Sequence, residues 1–431
     1  MHKILALFIL MPLSQPIFSQ SLSEIEKQIV NYVNLHVSDA EKLLENVVNI
    51  NSGTLNKEGV KKVGEIFSTE FKKAGFTTEW VLLPDSLNRA GHLVATRKGE
   101  KGKKIFIIGH LDTVFEPEMP FTPFTRLNDS TATGQGANDM KGGDVVSIVA
   151  LQALQSLGLL DDATITVYFT GDEEKAGVPS SVSRKDFIER GKNFDIALGF
   201  ETANGLQTIA TARRGASSWK LRVTAKTGHS SGVFSQGSGY GAIYETARIL
   251  NSFREELSTE KYLTFNPGII VGGSNMTYDD KTAKGDAIGK TNIISPEVMV
   301  TGDLRFLTEA QKEEARSKMK NIVAKNLNGT NATIQFQDGI PSMAPTEGNN
   351  GVLKIIDQTT KAMGLGASFA GDPGSRGAGD ISYIAQYLDS VDGLGASGKG
   401  AHAPGETINL KELPLLIQRA AILLYRLTHT D

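Results

Sequence analysis

Residues 105–112 have the sequence Ile-Phe-Ile-Ile-Gly-His-Leu-Asp, and this segment decides the predicted fold. A short apolar run that stops at a glycine is typical of a strand buried on both faces of a sheet. Further strands are predicted at residues 77–83, 92–96, 164–170 and 196–200, and helices at residues 21–74, 145–157, 352–363 and 410–427. Strands that alternate with helices predict an α/β domain with a mixed sheet flanked by helices.

A second unit is predicted to interrupt this domain from about Arg213 onward. Helices are predicted at residues 240–253 and 309–327, and strands at residues 217–224, 268–273, 297–304 and 333–336. This content predicts an inserted α+β domain at residues 213–329. Residues 20–212 and 330–431 would then form the catalytic domain.

The N-terminus predicts export. Lys3 precedes the apolar run Ile4–Leu13, and Ser19 follows it, as in a secretory signal peptide that ends near residue 19. The alternative is a buried N-terminal helix. No later stretch is long and apolar enough to predict a membrane span.

Composition narrows the classes of function. The formal net charge is −3, so there is no basic excess of the kind that nucleic-acid binding requires. The chain has no cysteine, so any metal ion must be held by His, Asp and Glu. Export without cysteine favours a bacterial periplasm or external medium.

Five segments concentrate metal-binding side chains, mostly just after predicted strands, where ligands of open α/β sheets bind. His110 and Asp112 are two residues apart, so both can point the same way from an extended chain. A histidine can bind a metal while an aspartate accepts its other ring N–H. Taken alone, the pair is also compatible with a purely structural histidine.

Two further segments are rich in glycine or carboxylates. Asp139 lies in Gly-Gln-Gly-Ala-Asn-Asp-Met-Lys-Gly-Gly (134–143), where the simpler interpretation is a helix N-cap. Asp172, Glu173 and Glu174 follow a strand, and their mutual repulsion favours a bound cation, although a solvated loop is the alternative. Of such neighbours, one can bind metal while another takes a proton.

The remaining two segments contribute Glu201, after a strand, and His402, in a glycine-rich loop. His110, His229 and His402 all lie in polar, glycine-rich loops, unlike His36.

The order of these motifs resembles the M20 family of metallopeptidases, over residues 22–427. Asn-Ile-Ile-Ser-Pro (292–296) and Asp-Leu-Arg-Phe (303–306) resemble its glutamate carboxypeptidase branch most. The resemblance implies a phosphorylase/hydrolase-like catalytic domain of the zinc-exopeptidase type, with a ferredoxin-like inserted domain that dimerises.

By this resemblance, His110, Asp139 and Glu201 hold one Zn²⁺. Asp139 bridges to a second Zn²⁺ held by Glu174 and His402. Two zinc ions per subunit are therefore implied, with Co²⁺ or Mn²⁺ as alternatives. The family often has a cis peptide bond after the bridging aspartate.

The resemblance also implies roles outside the metal ligands. Asp112 orients His110, and Glu173 is the general base. His229 reaches the active site of the other subunit of a homodimer and stabilises the oxyanion. Arg305 binds the free carboxylate of the substrate, as suits a guanidinium group, and Asn292 contacts the same region.

Some residues depart from the family pattern. His92 stands where relatives often have asparagine. The segment Gly377–Asp380, Gly-Ala-Gly-Asp, stands where relatives often have Gly-Thr-Asp. The preceding segment Pro373–Arg376 has no familiar counterpart, so the preference for a substrate side chain is open. Arg213 and Arg214 favour an acidic group or form a solvated pair.

The predicted function is an exported carboxypeptidase acting on small peptides or N-acyl amino acids, with glutamate as a candidate product. An N-deacylase or aminoacylase of the same family is the alternative. A non-catalytic metal-bearing binding protein is disfavoured, because a binding protein has no need of the free base Glu173.

Overall fold

The structure is a computed structural model that describes residues 21–429. The predicted signal peptide, residues 1–19, lies outside the described residues. The helices are α1 (Glu24–Leu35), α2 (Val37–Val48), α3 (Lys57–Lys73), α4 (Lys141–Ser156), α5 (Ser180–Ser183), α6 (Lys185–Gly191), α7 (Gly241–Leu257), α8 (Glu309–Val323), α9 (Glu347–Ala362) and α10 (Leu413–His429).

The strands are shorter and more numerous than the helices. They are β1 (Thr77–Val81), β2 (His92–Arg97), β3 (Lys101–His110), β4 (Thr125–Asn128), β5 (Thr131–Thr133), β6 (Ala163–Thr170), β7 (Ile196–Gly199), β8 (Thr208–Ile209), β9 (Gly215–Ala225), β10 (Thr264–Gly273), β11 (Asn275–Asp279), β12 (Lys284–Ile288), β13 (Glu297–Phe306), β14 (Thr330–Asp338), β15 (Phe369–Ala370), β16 (Asp389–Val391), β17 (Gly398–Lys399) and β18 (Thr407–Asn409).

The predicted mixed sheet flanked by helices is confirmed. Its six strands have the order β1-β2-β6-β3-β7-β16. Strands β6, β3, β7 and β16 are parallel to one another. Strand β2 is antiparallel to both of its neighbours, β6 and β1. Because side chains alternate along a strand, Ile105 and Ile107 enter one core and Phe106 and Ile108 the other. The first core contains residues of α1 to α4, α9 and α10.

The parallel strands deliver polar residues to one edge of the sheet. Strand β3 ends at His110, β6 ends at Thr170 just before the acidic triplet, and β7 ends two residues before Glu201. The carboxyl ends of parallel strands lie at the same edge, which is where ligands bind in such sheets.

The second main sheet has the antiparallel order β10-β13-β9-β14, with α7 and α8 packed against it. This connectivity is ferredoxin-like. Its last strand, β14, pairs with β9 along its full length. The sheet therefore continues to Asp338, past the predicted insert boundary at residue 329, and the strand expected at residues 333–336 belongs to it.

A third sheet, of order β17-β18-β5-β4, was not predicted. Its strands are only two to four residues long. It places the glycine-rich loop before α4 beside the glycine-rich loop that carries His402. Within residues 21–429, none of the helices has the length and apolar character needed to cross a bilayer.

Candidate metal centre

The first group of candidate ligands forms around His110. This residue is buried, and its Nδ1 lies 3.0 Å from the main-chain oxygen of Asp112. A donor N–H at Nδ1 leaves the Nε2 lone pair free for a metal. Nε2 lies 3.5 Å from Oδ1 of Asp139 and 3.8 Å from Oε1 of Glu201.

The second group forms around His402. Its Nε2 lies 3.1 Å from Oδ2 of Asp139 and 3.2 Å from Oε2 of Glu174. The side chain of His402 is 59% exposed, whereas that of His110 is 1% exposed. The second group therefore faces solvent. The peptide bond between Asp139 and Met140 is cis.

Asp139 belongs to both groups, one carboxylate oxygen to each. In each group the candidate ligand atoms lie within 4.8 Å of one another. Two such groups that share one aspartate could hold two metal ions side by side.

The chemistry of the donors fits two divalent cations. Each group offers one imidazole and two carboxylates, which suit zinc and its neighbours in the transition series. Three protein ligands leave an open coordination position, as in catalytic rather than structural sites. Oε1 of Glu174 is buried and has no hydrogen-bond partner. A bound cation would satisfy this carboxylate oxygen.

Glu173 lies beside the two groups but belongs to neither. Burial and the nearby carboxylate of Glu201 raise the pKa of Glu173 well above its usual range. A carboxylate that binds no metal and holds a proton readily is suited to general acid–base chemistry.

Asp112 contacts both the His110 ring and the backbone of the acidic loop. Its carboxylate oxygen Oδ1 lies 3.5 Å from Nδ1 of His110, and its main-chain oxygen lies 3.0 Å from the same nitrogen. The carboxylate accepts hydrogen bonds from the backbone N–H groups of Glu173 (3.0 Å) and Glu174 (3.1 Å) and from the hydroxyl of Thr54 (2.6 Å). It fixes the backbone of Glu173 and that of the candidate ligand Glu174 relative to each other.

Glu406 was not predicted as a site residue. It is 1% exposed, and its carboxylate accepts backbone hydrogen bonds from Gly136 (2.9 Å), Asn138 (2.7 Å) and Asp139 (2.8 Å). It therefore holds the loop that presents the shared aspartate. The nearness of Glu406 to His402 in sequence was the only signal that pointed to it.

We expect Glu406→Gln to weaken metal binding about 10–100-fold, as changes behind metal ligands typically do. Glutamine has one acceptor oxygen where the carboxylate has two, so the three N–H donors cannot all be satisfied. Competition with a chelator measures the affinity. Glu347→Gln, at an exposed position in the first turn of α9, is the control. Unchanged affinity in Glu406→Gln would show that the clamp does not hold the ligand loop.

An ion network lies behind the acidic loop. The buried Arg184 donates to Oδ1 of Asp172 (2.5 Å) and to Oδ1 of Asp380 (2.6 Å). Burial alone would raise the pKa of Asp172, but the Arg184 guanidinium holds it below its usual value. His92, predicted as atypical, is buried beside this network, where Nδ1 accepts from Gly171 N–H and Nε2 lies 3.1 Å from Ser183 O. Burial lowers the pKa of His92, which is consistent with a neutral ring.

The candidate residues of the insert, His229, Asn292 and Arg305, belong to neither metal group. His229 contacts Ser231 Oγ at 2.8 Å and is exposed, and neither group includes it. The backbone oxygen of Asn292 accepts from Ser230 N–H at 2.9 Å, so Asn292 and His229 are neighbours. Arg305 pairs with Asp303 at 2.9 Å and lines a cavity beside the loop at 374–377.

The chain is similar to several known proteins. The chain is 27% identical over 393 residues to carboxypeptidase G2 of Pseudomonas sp. (strain RS-16), covering 89% of this chain and 88% of that protein. The structure resembles aminopeptidase PepT from Bacillus cereus, with a TM-score of 0.70, 18% identity and coverage of 93% and 99% of the two chains. It also resembles a dinuclear metal binding peptidase of family M20 from Bacillus subtilis, with a TM-score of 0.64, 14% identity and coverage of 92% and 100%.

The sequence model of peptidase family M20/M25/M40 matches residues 106–426, which include every candidate metal ligand. The chain therefore belongs to peptidase family M20/M25/M40 and is a metallopeptidase.

Proposed function

We propose that this protein is an exported dinuclear zinc carboxypeptidase that releases the C-terminal residue of small peptides or N-acyl amino acids. The observation that carries the proposal is the pair of donor groups that share Asp139, with Glu173 free beside them. The similarity to carboxypeptidase G2 supports the choice of a carboxypeptidase within the family.

Zinc is proposed because imidazole and carboxylate donors in three-ligand groups suit it. His110 and Glu201 would hold one ion, Glu174 and His402 the other, and Asp139 both. When bound, the metal pair would polarise the substrate carbonyl and lower the pKa of water to near 7.

Glu173 would accept the proton of the attacking water and deliver it to the leaving amine. Its raised pKa supports this role, because a base that must later act as an acid needs a pKa nearer to neutrality than that of a solvated glutamate. Asp112 would keep Glu173 in place, because its carboxylate accepts a hydrogen bond from the backbone N–H of Glu173.

A homodimer is part of the proposal. His229 is exposed on the insert and would serve the active site of the neighbouring subunit to stabilise the oxyanion. Phe234, Ile243 and Tyr244 are also exposed on the insert, at 54%, 57% and 53%, and would be covered in a dimer. Sedimentation of the purified protein measures the oligomeric state, and a monomer that retains full activity would exclude this role for His229.

Export is proposed from the sequence of residues 1–19 alone. Mass spectrometry of the protein recovered from a bacterial periplasm or medium would give the first residue of the mature chain. An uncleaved chain retained inside the cell would exclude export.

The test of the enzymatic proposal is metal analysis combined with hydrolysis of N-acyl amino acids. We expect two zinc ions per chain, and loss of turnover on chelation that zinc restores. Full metal occupancy with no turnover on a broad panel of amides would favour a binding protein instead.

Amidation of the substrate's terminal carboxylate is expected to lower kcat/KM about 10–100-fold, the value of one charged hydrogen-bond pair. If Arg305 receives that carboxylate, Arg305→Gln should lower kcat/KM equally for the free acid and leave the amidated substrate unaffected. The two changes would then be non-additive. Arg222→Gln, elsewhere on the insert sheet, is the control. Equal rates on free and amidated substrates would favour the N-deacylase alternative.

A further inference from the structure

The chain crosses between the catalytic domain and the insert twice. Residues 210–214 lead from β8 into β9, and residues 339–346 lead from β14 back into α9. The two crossings are bonded to each other, because the backbone N–H of Arg213 donates to the carbonyl oxygen of Met343 at 2.9 Å and the N–H of Met343 donates back at 3.0 Å. Arg213 therefore lies at the junction where the insert joins the catalytic domain.

The Arg213 side chain bonds to the catalytic domain through all three of its nitrogens. Nε donates to the carbonyl oxygen of Gly377 at 2.8 Å, Nη2 donates to that of Ala378 at 3.0 Å, and Nη1 pairs with the carboxylate of Asp392. Arg213 is 7% exposed and Asp392 is fully buried, so Arg213 is not part of a solvated pair. A Cβ at Gly379 would lie 2.5 Å from Nη1, so glycine leaves room for the guanidinium there. Removing one partner of a buried ion pair is strongly destabilising, so this pair holds the junction in one arrangement.

Asp392 belongs to the segment that holds the backbone of the candidate ligand Glu201. Its Oδ1 accepts a hydrogen bond from the N–H of Gly393 at 2.6 Å, which fixes the course of the chain after Asp392. Three positions after Asp392, the N–H of Gly395 donates to the carbonyl oxygen of Glu201 at 3.0 Å. The ion-pair partner of Arg213 and the support of Glu201 are therefore parts of one short segment.

A second connection runs through Arg376, which directly precedes the two residues whose carbonyl oxygens Arg213 binds. The guanidinium of Arg376 donates to the main-chain oxygen of Thr202, the residue after Glu201. A Cβ at Gly393 would lie 3.0 Å from Nη2 of Arg376, so this guanidinium also packs against the segment that follows the ion pair. Two connections therefore lead from Arg213 to the chain at Glu201, and both act on its backbone.

We propose that Arg213 is a positioning residue that couples the orientation of the insert to the metal group that contains Glu201. The inference rests on the part of the proposed function in which Glu201 is a metal ligand. If the junction helps to hold Glu201 for a metal ion, metal binding must stabilise the junction by the same free energy, because linkage between two equilibria is reciprocal. The competing explanation is that Arg213 and Asp392 only stabilise the fold.

Zinc affinity, measured by competition with a chelator, separates these explanations. Glu201→Gln identifies which of the two binding steps belongs to this metal group. We expect the double variant Arg213→Met with Asp392→Asn to weaken that step about 10–100-fold, as changes behind metal ligands typically do, and to leave the other step unchanged. The double variant removes both charges of the pair, so no buried charge is left unpaired and the protein should fold. Arg214→Gln, at the same crossing and in contact with the same loop through Gly374, is the matched control and should keep both affinities.

Wild-type zinc affinities in the double variant overturn the inference and leave the proposed function intact. The urea midpoint of the metal-free protein is measured on the same samples. Arg213→Met alone should lower this midpoint, and adding Asp392→Asn should restore it in part. Zinc affinity that recovers together with the midpoint gives the pair a role in stability only and overturns the inference. If Glu201→Gln changes neither binding step, the metal assignment of the proposed function fails, and the inference fails with it.

Pulsed EPR on two spin labels measures the coupling itself. The chain has no cysteine, so Lys62→Cys on α3 and Lys325→Cys after α8, both at exposed positions, give two defined labelling sites. An excess of unlabelled protein keeps distances between subunits out of the signal. We expect zinc to narrow the distribution of distances between the catalytic domain and the insert in the wild-type background and not in the double variant. A distribution that zinc leaves unchanged in the wild-type background, or narrows equally in both, overturns the inference.

Discussion

Replacing Glu173 by glutamine is expected to lower kcat by about 10²–10⁴-fold, the usual contribution of a positioned general acid or base. Glutamine keeps the shape of the side chain and cannot accept a proton. Neither candidate metal group contains Glu173, so the chain should still bind two metal ions. The hydrogen bond from its backbone N–H to Asp112 does not depend on the side chain and should persist in the variant.

The measurement pairs kcat on an N-acyl amino acid with metal content by mass spectrometry. Because substrate binding is assigned to Arg305, KM should change far less than kcat. Glu189→Gln, at a mostly exposed position on α6, is the control. Near wild-type kcat in a Glu173→Gln protein that holds two metal ions would rule out Glu173 as the base. Loss of metal together with loss of activity would instead make it a ligand.

The main elements of the fold could be predicted because their side chains are buried in regular patterns. The second half of strand β3, residues 105–108, is an apolar run with a core on each face, so its signal is strong. The hairpin formed by β11 and β12 was missed because none of its strand residues is buried and each strand has only five residues, so the alternation of Met276 and Tyr278 with polar residues in β11 is a weak signal. Strand β16 is three residues long, which is too short to show an alternation of apolar and polar residues.

The candidate metal ligands could be predicted for a different reason. Strands that run parallel bring their carboxyl ends together whatever their separation in sequence, so His110 and Glu201 were expected to meet. No such rule covers Thr54 or Glu406. Glu406 reaches the backbone of Asp139 across 267 positions, and the short sheet of β5 and β18 brings the two loops together. A contact between such distant loops produces no regular residue spacing from which it could be predicted.

Arg184 is a further residue that sequence reasoning missed, and its loss is expected to have the largest effect on stability. Arg184→Met should lower the free energy of unfolding by about 3–5 kcal/mol, the cost of leaving a buried charge without its partner. Arg184 is 1% exposed and donates to Asp172, which is fully buried, and to Asp380, which is 4% exposed. Methionine fills much of the space but gives these two carboxylates no counter-charge.

The denaturation midpoint of metal-free protein in urea measures this change without any contribution from metal binding. Arg190→Met is the matched control, because Arg190 also contacts two carboxylates, Asp186 and Glu79, but at the surface, where such pairs contribute about 0–1 kcal/mol. Neutralising Asp172 and Asp380 to asparagine in the Arg184→Met background should restore part of the lost stability, because the unpaired charge is then removed. A loss no larger than that of Arg190→Met would show that water replaces the guanidinium. With no restoration by the asparagines, the cost would come from packing and not from charge.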